Sequence, residues 1–557
     1  GGTESIPSCE ALEGTVANSS DCNDDDIFIH PEGIEVCDDI DNDCDDQIDD
    51  DDADLDTFTT VPKFIDMDGD GFGTNEILGY YCASNPLGAM QAGDCDDDNI
   101  EIHPQAIEKY DDIDSDCDGV AQTMDAYRFT EGWSSPFGSG FGIKTDVADI
   151  GSDPTLPAMV FSLHAYDTYR GGVFYVPADT PLQDFPDLTD VGSFWSGTVE
   201  QERISRSLVF AGDMNGDGVE DILAGGGFDT DPRAGVVYLF STEMGAGIIE
   251  EDLLLTGSDA SYFGNALLAV GDINDDGFDD ALIASRADDS AGTNRGAVHL
   301  LSGGEVPTIT HSIFGLSNGY QLGFFLANID DFDGDGIAEI VISSIYTDYL
   351  ATNAGTAFVI PKDQFTDEAL DITTVTQFHG VQTAEHVGYS VVDAGDFNGD
   401  GYHDLLIGSP DYDLDYDGED GDEGRAFLVY GGTTDSDLSN APHIFYGKAD
   451  DDNAGEYVHR MGDVNGDGHS DIAIVAHRND DNGENAGVVY GMFGGQETGS
   501  VELATGSSFV LYGAGNYDQL GRGLNPVGDV NQDGYDDFWL TSSSHGYGKA
   551  YLMYGSP

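Results

Sequence analysis

The apolar residues of this chain fall in short runs separated by polar, glycine-rich stretches, and through most of the sequence the runs recur in a fixed order. A glycine-containing stretch of small residues ("YFGNALLAV", "HVGYSVVDA", "QLGRGLNPV") leads into an acidic bend. An apolar run follows ("ILAGG", "ALIAS", "IVISS", "LLIGS", "IAIVA"), and after a polar loop comes a glycine-led run rich in β-formers ("AGVVYLF", "GAVHLL", "GTAFVI", "GRAFLVY", "AGVVYGM", "GKAYLMY"). A last short run such as "DLLLTG" or "HIFYG" closes the unit. Helical periodicity is nearly absent. Four short β-type runs bounded by turn residues predict a four-stranded antiparallel sheet per unit.

The acidic bends begin at Asp213, Asp272, Asp331, Asp396, Asp463 and Asp529, 59 to 67 residues apart. Repeats of this length built from four strands suit radial packing into a propeller, whereas solenoid repeats are shorter and carry distinct end caps. A seventh unit is expected upstream, where "VADIGSDPTLPAMVFSL" keeps the flanks but its bend reads Asp149, Gly151, Asp153, Pro157, a loop that has lost its outer oxygens. The last unit stops after "GKAYLMYG" without a fourth run, and "AYRFTEG" (126–132) supplies the missing strand. That closes the ring and leaves few free sheet edges.

The bends themselves are chemically unusual. In "DMNGDGVED", side-chain oxygens fall at positions 1, 3, 5 and 9, Gly218 at position 6 permits a sharp turn, and the carbonyl of position 7 can join them. The set is Asp213, Asn215, Asp217, Val219 and Asp221. The same grammar gives Asp272, Asn274, Asp276, Phe278 and Asp280, then Asp331, Asp333, Asp335, Ile337 and Glu339. It gives Asp396, Asn398, Asp400, Tyr402 and Asp404, then Asp463, Asn465, Asp467, His469 and Asp471, and finally Asp529, Asn531, Asp533, Tyr535 and Asp537. Alternate residues of a tight loop aim oxygen at one centre, which suits a hard cation of loose geometry, calcium above magnesium; no His or Cys side chain belongs to the pattern, which argues against zinc. A single loop could be a solvated Asx-Gly turn, but six in register are not.

The first 124 residues differ in kind. All seven cysteines lie between Cys9 and Cys117, which reads as an extracellular disulfide module before a cysteine-free body. Cys9, Cys22, Cys37 and Cys44 match Cys82, Cys95, Tyr110 and Cys117 at a constant offset of 73 residues, so the region is two modules, about 1–60 and 61–124. "DNDCDDQID" offers Asp41, Asp43, Asp45 and Asp49; "DMDGDGFGT" offers Asp66, Asp68, Asp70 and the Phe72 carbonyl; "DSDCDGVAQ" offers Asp114, Asp116, Asp118 and Gln122. The runs at Asp21 and Asp94 are weaker, without glycine at position 6.

From Ala126 onward the chain resembles FG-GAP repeats, the units of the integrin α seven-bladed β-propeller. The likeness rests on the DxDxDGxxD loops, on Phe263-Gly264 with the weaker Leu322-Gly323, Val387-Gly388 and Leu520-Gly521, and on "GSP" at 408–410. The first region resembles MopE-type metal-binding repeats through "DCND…P…E.CDGIDNDCDG". The expected fold is therefore all-β: a calcium-bearing seven-bladed propeller over 125–557, after a small irregular region stabilised by disulfides and calcium. Six ions are expected in the propeller and about three to five before it. His30 and His103 hold matching places in "IHP", open to copper or to a structural role. The expected disulfides are Cys9–Cys22, Cys37–Cys44 and Cys82–Cys95, with Cys117 left over.

Charge bounds the partners. A formal net charge of −92, from 109 acids against 17 bases, argues against nucleic acid or anionic lipid, whose phosphates call for clustered Lys and Arg. The excess acids, as in "DYDLDYDGEDGDE" (411–423), suit screening by salt, or one further ion. No apolar run reaches a membrane-spanning length, and the opening residues lack a basic segment followed by an apolar one. No nucleophile elbow, zinc-protease or phosphate-loop motif is present, so no enzyme is expected. Trp133, Trp195, Tyr346 and Tyr349 suit either sugar stacking or blade packing. The resulting expectation is a secreted or cell-surface calcium-binding protein for adhesion, ligand binding or assembly. Its protein or glycan ligand would lie on the propeller face opposite the calcium loops, a location the resemblance implies. The alternatives are a subunit of a self-assembling fibre, or other homo-oligomer, and a polysaccharide-acting enzyme on a propeller scaffold.

Overall fold

A computed structural model describes residues 22–23, 26, 28–52, 55–100, 102–104, 117, 127–129, 141–147, 157–163, 170–178, 193–197, 202–227, 233–242, 247–248, 253–258, 260–366, 370–413, 422–434, 436–495, 499–543 and 548–556. The chain divides into two compact units, Gly1–Thr123 and Met124–Pro557.

The second unit is a seven-bladed β-propeller, each blade an antiparallel sheet of four strands taken in chain order from the axis outward. The innermost strands are Phe141–Val147, Ser207–Gly212, Phe263–Gly271, Leu326–Ile329, Val391–Gly395, Tyr457–Gly462 and Leu520–Gly528, and each touches the next around a closed ring. Closure occurs as the sequence predicts. Tyr127–Phe129 pairs antiparallel with Lys549–Met553, placing Arg128 opposite Tyr551. Thr145 in the first inner strand hydrogen-bonds Asn525 in the last.

The second strand of each blade shows why its sequence lacks strict alternation. All six residues of Asp221–Gly226, Asp280–Ser285, Glu339–Ser344, Asp404–Ser409, Asp471–Ala476 and Asp537–Ser542 are buried, because both faces of each sheet pack on neighbouring blades. The core therefore sits between blades. Leu406 and Leu428 of the fifth blade pack with Ile472, Ile474 and Tyr490 of the sixth. Phe161 and Phe174 of the first pack with Trp539 and Leu552 of the seventh, Phe161 meeting Trp539 edge-on at 6.1 Å. Trp195, fully buried against Tyr175 and Phe240, is a blade-packing residue.

Four runs per unit understate the pairing. Gly247–Ile248, Ser436–Asp437 and Gly499–Glu502, each between the third and fourth strands of its own blade, add in parallel to the outer strand of the preceding blade. These straps tie the first blade to the second, the fourth to the fifth and the fifth to the sixth.

The first unit is nearly irregular. Val61–Phe64 pairs antiparallel with Ile77–Tyr81, and Phe72–Gly73 pairs in parallel with Gln91–Ala92. Its disulfides correct the expectation: they are Cys22–Cys44, Cys37–Cys82 and Cys95–Cys117, so Cys117 is bonded and none of the three expected pairs forms. The physical reason lies in the repeat. Cys22–Cys44 and Cys95–Cys117 are one bond repeated 73 residues on, each within its own module. Cys37–Cys82 crosses between modules, joining the third cysteine of one to the first of the next. Nearest-neighbour pairing in sequence ignores both relations. Cys9 lies outside the described residues.

Candidate metal centre

Each acidic bend links an innermost strand to the second strand of its blade. In five blades a glycine pairs with the position-9 acid where the register shifts: Gly212 with Asp221, Gly271 with Asp280, Gly395 with Asp404, Gly462 with Asp471 and Gly528 with Asp537. All five glycines have φ between 62° and 91°, a left-handed conformation that turns the chain into the loop at little cost for glycine.

Within the loop, the oxygens are ordered by backbone N–H groups. In all six, the position-6 glycine N–H donates to the position-1 carboxylate at 2.8–3.0 Å. The position-7 N–H donates to the position-5 carboxylate at 2.8–3.1 Å. The position-2 N–H donates to the position-9 carboxylate at 2.7–3.1 Å. The three carboxylates of Asp331, Asp333 and Asp335 reach within 4.8 Å of one another.

Every position-9 acid is buried to 1% exposure or less. Burial drives Asp404 and Asp471 up to about 7 and Asp537 up to about 6, and raises Asp280, with like charges in the same loop adding to it. Four of these acids offer their second oxygen to a glycine N–H after the third strand: Gly303, Gly431, Gly494 and Gly555, at 2.8–3.0 Å. The fourth blade departs. Its third strand ends at Pro361, Glu replaces Asp, and Glu339 Oε1 is buried with no hydrogen-bond partner. Burial, then Asp333, Asp335 and Asp331, push Glu339 up to about 7. An orphaned carboxylate oxygen among three further acids is a fit for a divalent cation, which would favour the ionised form that burial disfavours.

Neighbouring loops also hold one another, a relation the sequence analysis missed. The position-7 side chain of one blade lies on the position-4 glycine of the preceding blade. A Cβ on Gly216 would meet Phe278 at 2.4 Å, on Gly334 Tyr402 at 2.1 Å, on Gly399 His469 at 2.4 Å and on Gly466 Tyr535 at 2.7 Å. Position 4 is Asp275 or Gln532 only where the next blade offers Ile337 or the altered first-blade loop. The signal was present as a correlation between residues roughly one repeat apart.

The first unit gathers two comparable groups. Asp41, Asp43 and Asp45 converge, while Asp49 turns its carboxylate to the N–H groups of Asp38 and Asp39 at 3.0 and 3.2 Å. Glu35 and Asp52, buried residues absent from the expected set, meet Asp43. Asp66, Asp68 and Asp70 also converge, with the Phe72 N–H on Asp70 at 2.8 Å. Asp94 faces them, its carboxyl raised by burial and by Asp70 and Asp68. Asp68 Oδ2, Asp70 Oδ2 and Asp94 Oδ2 are all buried without a hydrogen-bond partner, a second fit for a cation. The sequence ranked the Asp94 run as weak for want of glycine at position 6, and missed that its partner loop lies some 25 residues upstream. His103 stacks on Phe72 at 4.9 Å, and His30 Nδ1 accepts the Glu32 N–H at 3.3 Å. Asp21, Asp114, Asp116, Asp118, Gln122, Trp133 and the first-blade bend at Asp149, Gly151 and Asp153 lie outside the described residues.

The comparisons agree with this geometry. An FG-GAP repeat matches residues 388–429, and the MopE family, described as "Putative metal-binding motif", matches 21–50 and 94–122. Integrin alpha-4 of Xenopus laevis is 35% identical over 152 residues, 26% of this chain and 14% of that protein. Integrin alpha-PS2 of Drosophila melanogaster is 38% identical over 123 residues, 22% and 8% respectively. Integrin alpha-IIb of Mus musculus is 30% identical over 187 residues, 32% and 17%. The chain thus spans less than a fifth of the length of these relatives. The chain carries an integrin α-like FG-GAP β-propeller of seven blades, preceded by two MopE-type metal-binding motifs.

Proposed function

We propose that this is an extracellular, calcium-rigidified binding protein, in which ions in the six acidic loops lock one face of the propeller and the opposite face presents the ligand site. The observation that carries the reading is the repeated loop: six bends whose position-9 acids are all buried, one with an orphaned oxygen. So much buried like charge destabilises the fold unless cations neutralise it. The holders would be Asp, Asn or Glu side chains at positions 1, 3, 5 and 9 and the position-7 carbonyl of each loop. A bound ion supplies charge and coordination; the chain's own N–H groups orient the oxygens beforehand. Asp66, Asp68, Asp70 and Asp94 would hold another ion in the first unit.

Three disulfides suit an oxidising compartment, and no helix among the described residues is long and apolar enough to cross a membrane. The integrin α relatives support adhesion or ligand binding rather than catalysis. The test is thermal unfolding with calcium and with EDTA. Chelation should lower Tm by roughly 10 °C or more; an unchanged Tm rejects the reading.

A further inference from the structure

The end of the propeller away from the acidic loops gathers cations. Lys144, Arg206, Arg286 and Arg522 come from four blades, in a chain with only 17 basic residues. Arg206 and Arg522 occupy the same place in their repeats, seven residues before the loops at Asp213 and Asp529. At about 3.3 Å per residue that sets them roughly 20 Å from the acids.

Aromatic rings hold the cluster together. Lys144 Nζ lies 5.9 Å from the Tyr457 ring and 5.0 Å from Phe325, and Arg522 lies 5.8 Å from the same Tyr457. Arg286 lies 5.4 Å from Phe324, whose ring is 5.0 Å from Tyr389. None of Lys144, Arg286 or Arg522 has a carboxylate ion pair or a side-chain hydrogen bond among the described residues, and Arg522 Nε is buried without a partner. The acid at this end, Glu456, is stabilised first by Arg522 and Arg478 and then by Tyr457, with His477 at 3.3 Å, one carboxylate shared among several cations. Burial, then Arg522, lower Lys144 to about 8, so the cations repel one another. Several half-buried cations around the single carboxylate of Glu456, in a protein with 109 acids to choose from, are a costly arrangement that an incoming anion relieves.

Resting on the reading above that this face binds ligand, we propose that the axial mouth receives the carboxylate of an acidic saccharide. Guanidinium forks match a carboxylate, and the Phe324 and Tyr389 rings can take the C–H face of a sugar. An acidic peptide side chain would use only the cations.

The test is calorimetric titration of the full chain, at saturating calcium, with tri-galacturonate, its neutral methyl ester and tri-glutamate. Tri-galacturonate should bind, with the ester weaker by about tenfold or more. Arg286→Gln and Arg522→Gln should each weaken it by a similar factor while the calcium-dependent Tm stays at the wild-type value, which shows that the variants fold. Equal binding of the ester, equal or tighter binding of tri-glutamate, or binding undiminished in both variants (a calcium bridge to the acidic surface) would each overturn the proposal. So would no binding by a wild-type chain whose Tm still responds to calcium, and that result would leave the calcium reading standing. A wild-type Tm indifferent to calcium would remove the reading beneath it.

Discussion

Gly399 carries two constraints that can be separated. Its φ of +76° is costly for any residue with a Cβ, and that Cβ would meet His469 at 2.4 Å. Gly399→Ala should cost about 2 kcal/mol, and adding His469→Ala should restore roughly half, measured by denaturant unfolding. Full additivity would deny the loop-to-loop contact. Asp404 is a second case: it accepts N–H groups from Phe397 at 3.0 Å and Gly431 at 2.9 Å while fully buried. Asp404→Asn turns an acceptor into a donor facing one of those N–H groups. It should cost about 2–3 kcal/mol and remove about one bound calcium, read by denaturation and by metal analysis after desalting. At this scale the sequence was most legible within a loop, where nine consecutive residues contain the whole pattern. It was least legible where the partner lies outside the loop's own nine residues, as for Gly399 with His469 or Asp70 with Asp94. Glu35 and Asp52 were missed for the same reason: neither sits in the 1-3-5-9 spacing that marks Asp43.

Among elements, the strand order followed from the runs, including the closing strand Tyr127–Phe129. The straps did not, because Ser436–Asp437 is too short to announce itself and pairs with a blade it does not belong to. Disulfides misled for a related reason: Cys37 bonds to Cys82, 45 residues away, across a module boundary. Tyr110 stands in the place equivalent to Cys37, and the one cysteine after it, Cys117, is bonded to Cys95. Non-reducing peptide mapping should recover linked fragments for Cys22–Cys44, Cys37–Cys82 and Cys95–Cys117; a Cys37–Cys44 fragment would contradict the arrangement. Replacing Cys37 and Cys82 together by Ser should destabilise the first unit by about 2–4 kcal/mol without moving the propeller's own transition.

For the whole molecule, the dominant quantity is a net charge of −92, carried in part by a ring that Tyr127–Phe129 and blade-to-blade packing close. Charge repulsion acts on every interblade contact at once, and salt screens it within about 10 Å at 0.1 M. In EDTA, raising sodium chloride from about 0.05 to 1 M should raise Tm markedly, and in saturating calcium the same change should raise it much less. Equal slopes in the two conditions would mean that the loops do not carry the repulsion. The most direct measurement is a high-resolution experimental density map of the protein prepared in calcium. The account predicts an ion in each of the six loops, enclosed by the oxygens of positions 1, 3, 5, 7 and 9. Loops that hold their shape around no ion, with Glu339 still unpartnered, would contradict it.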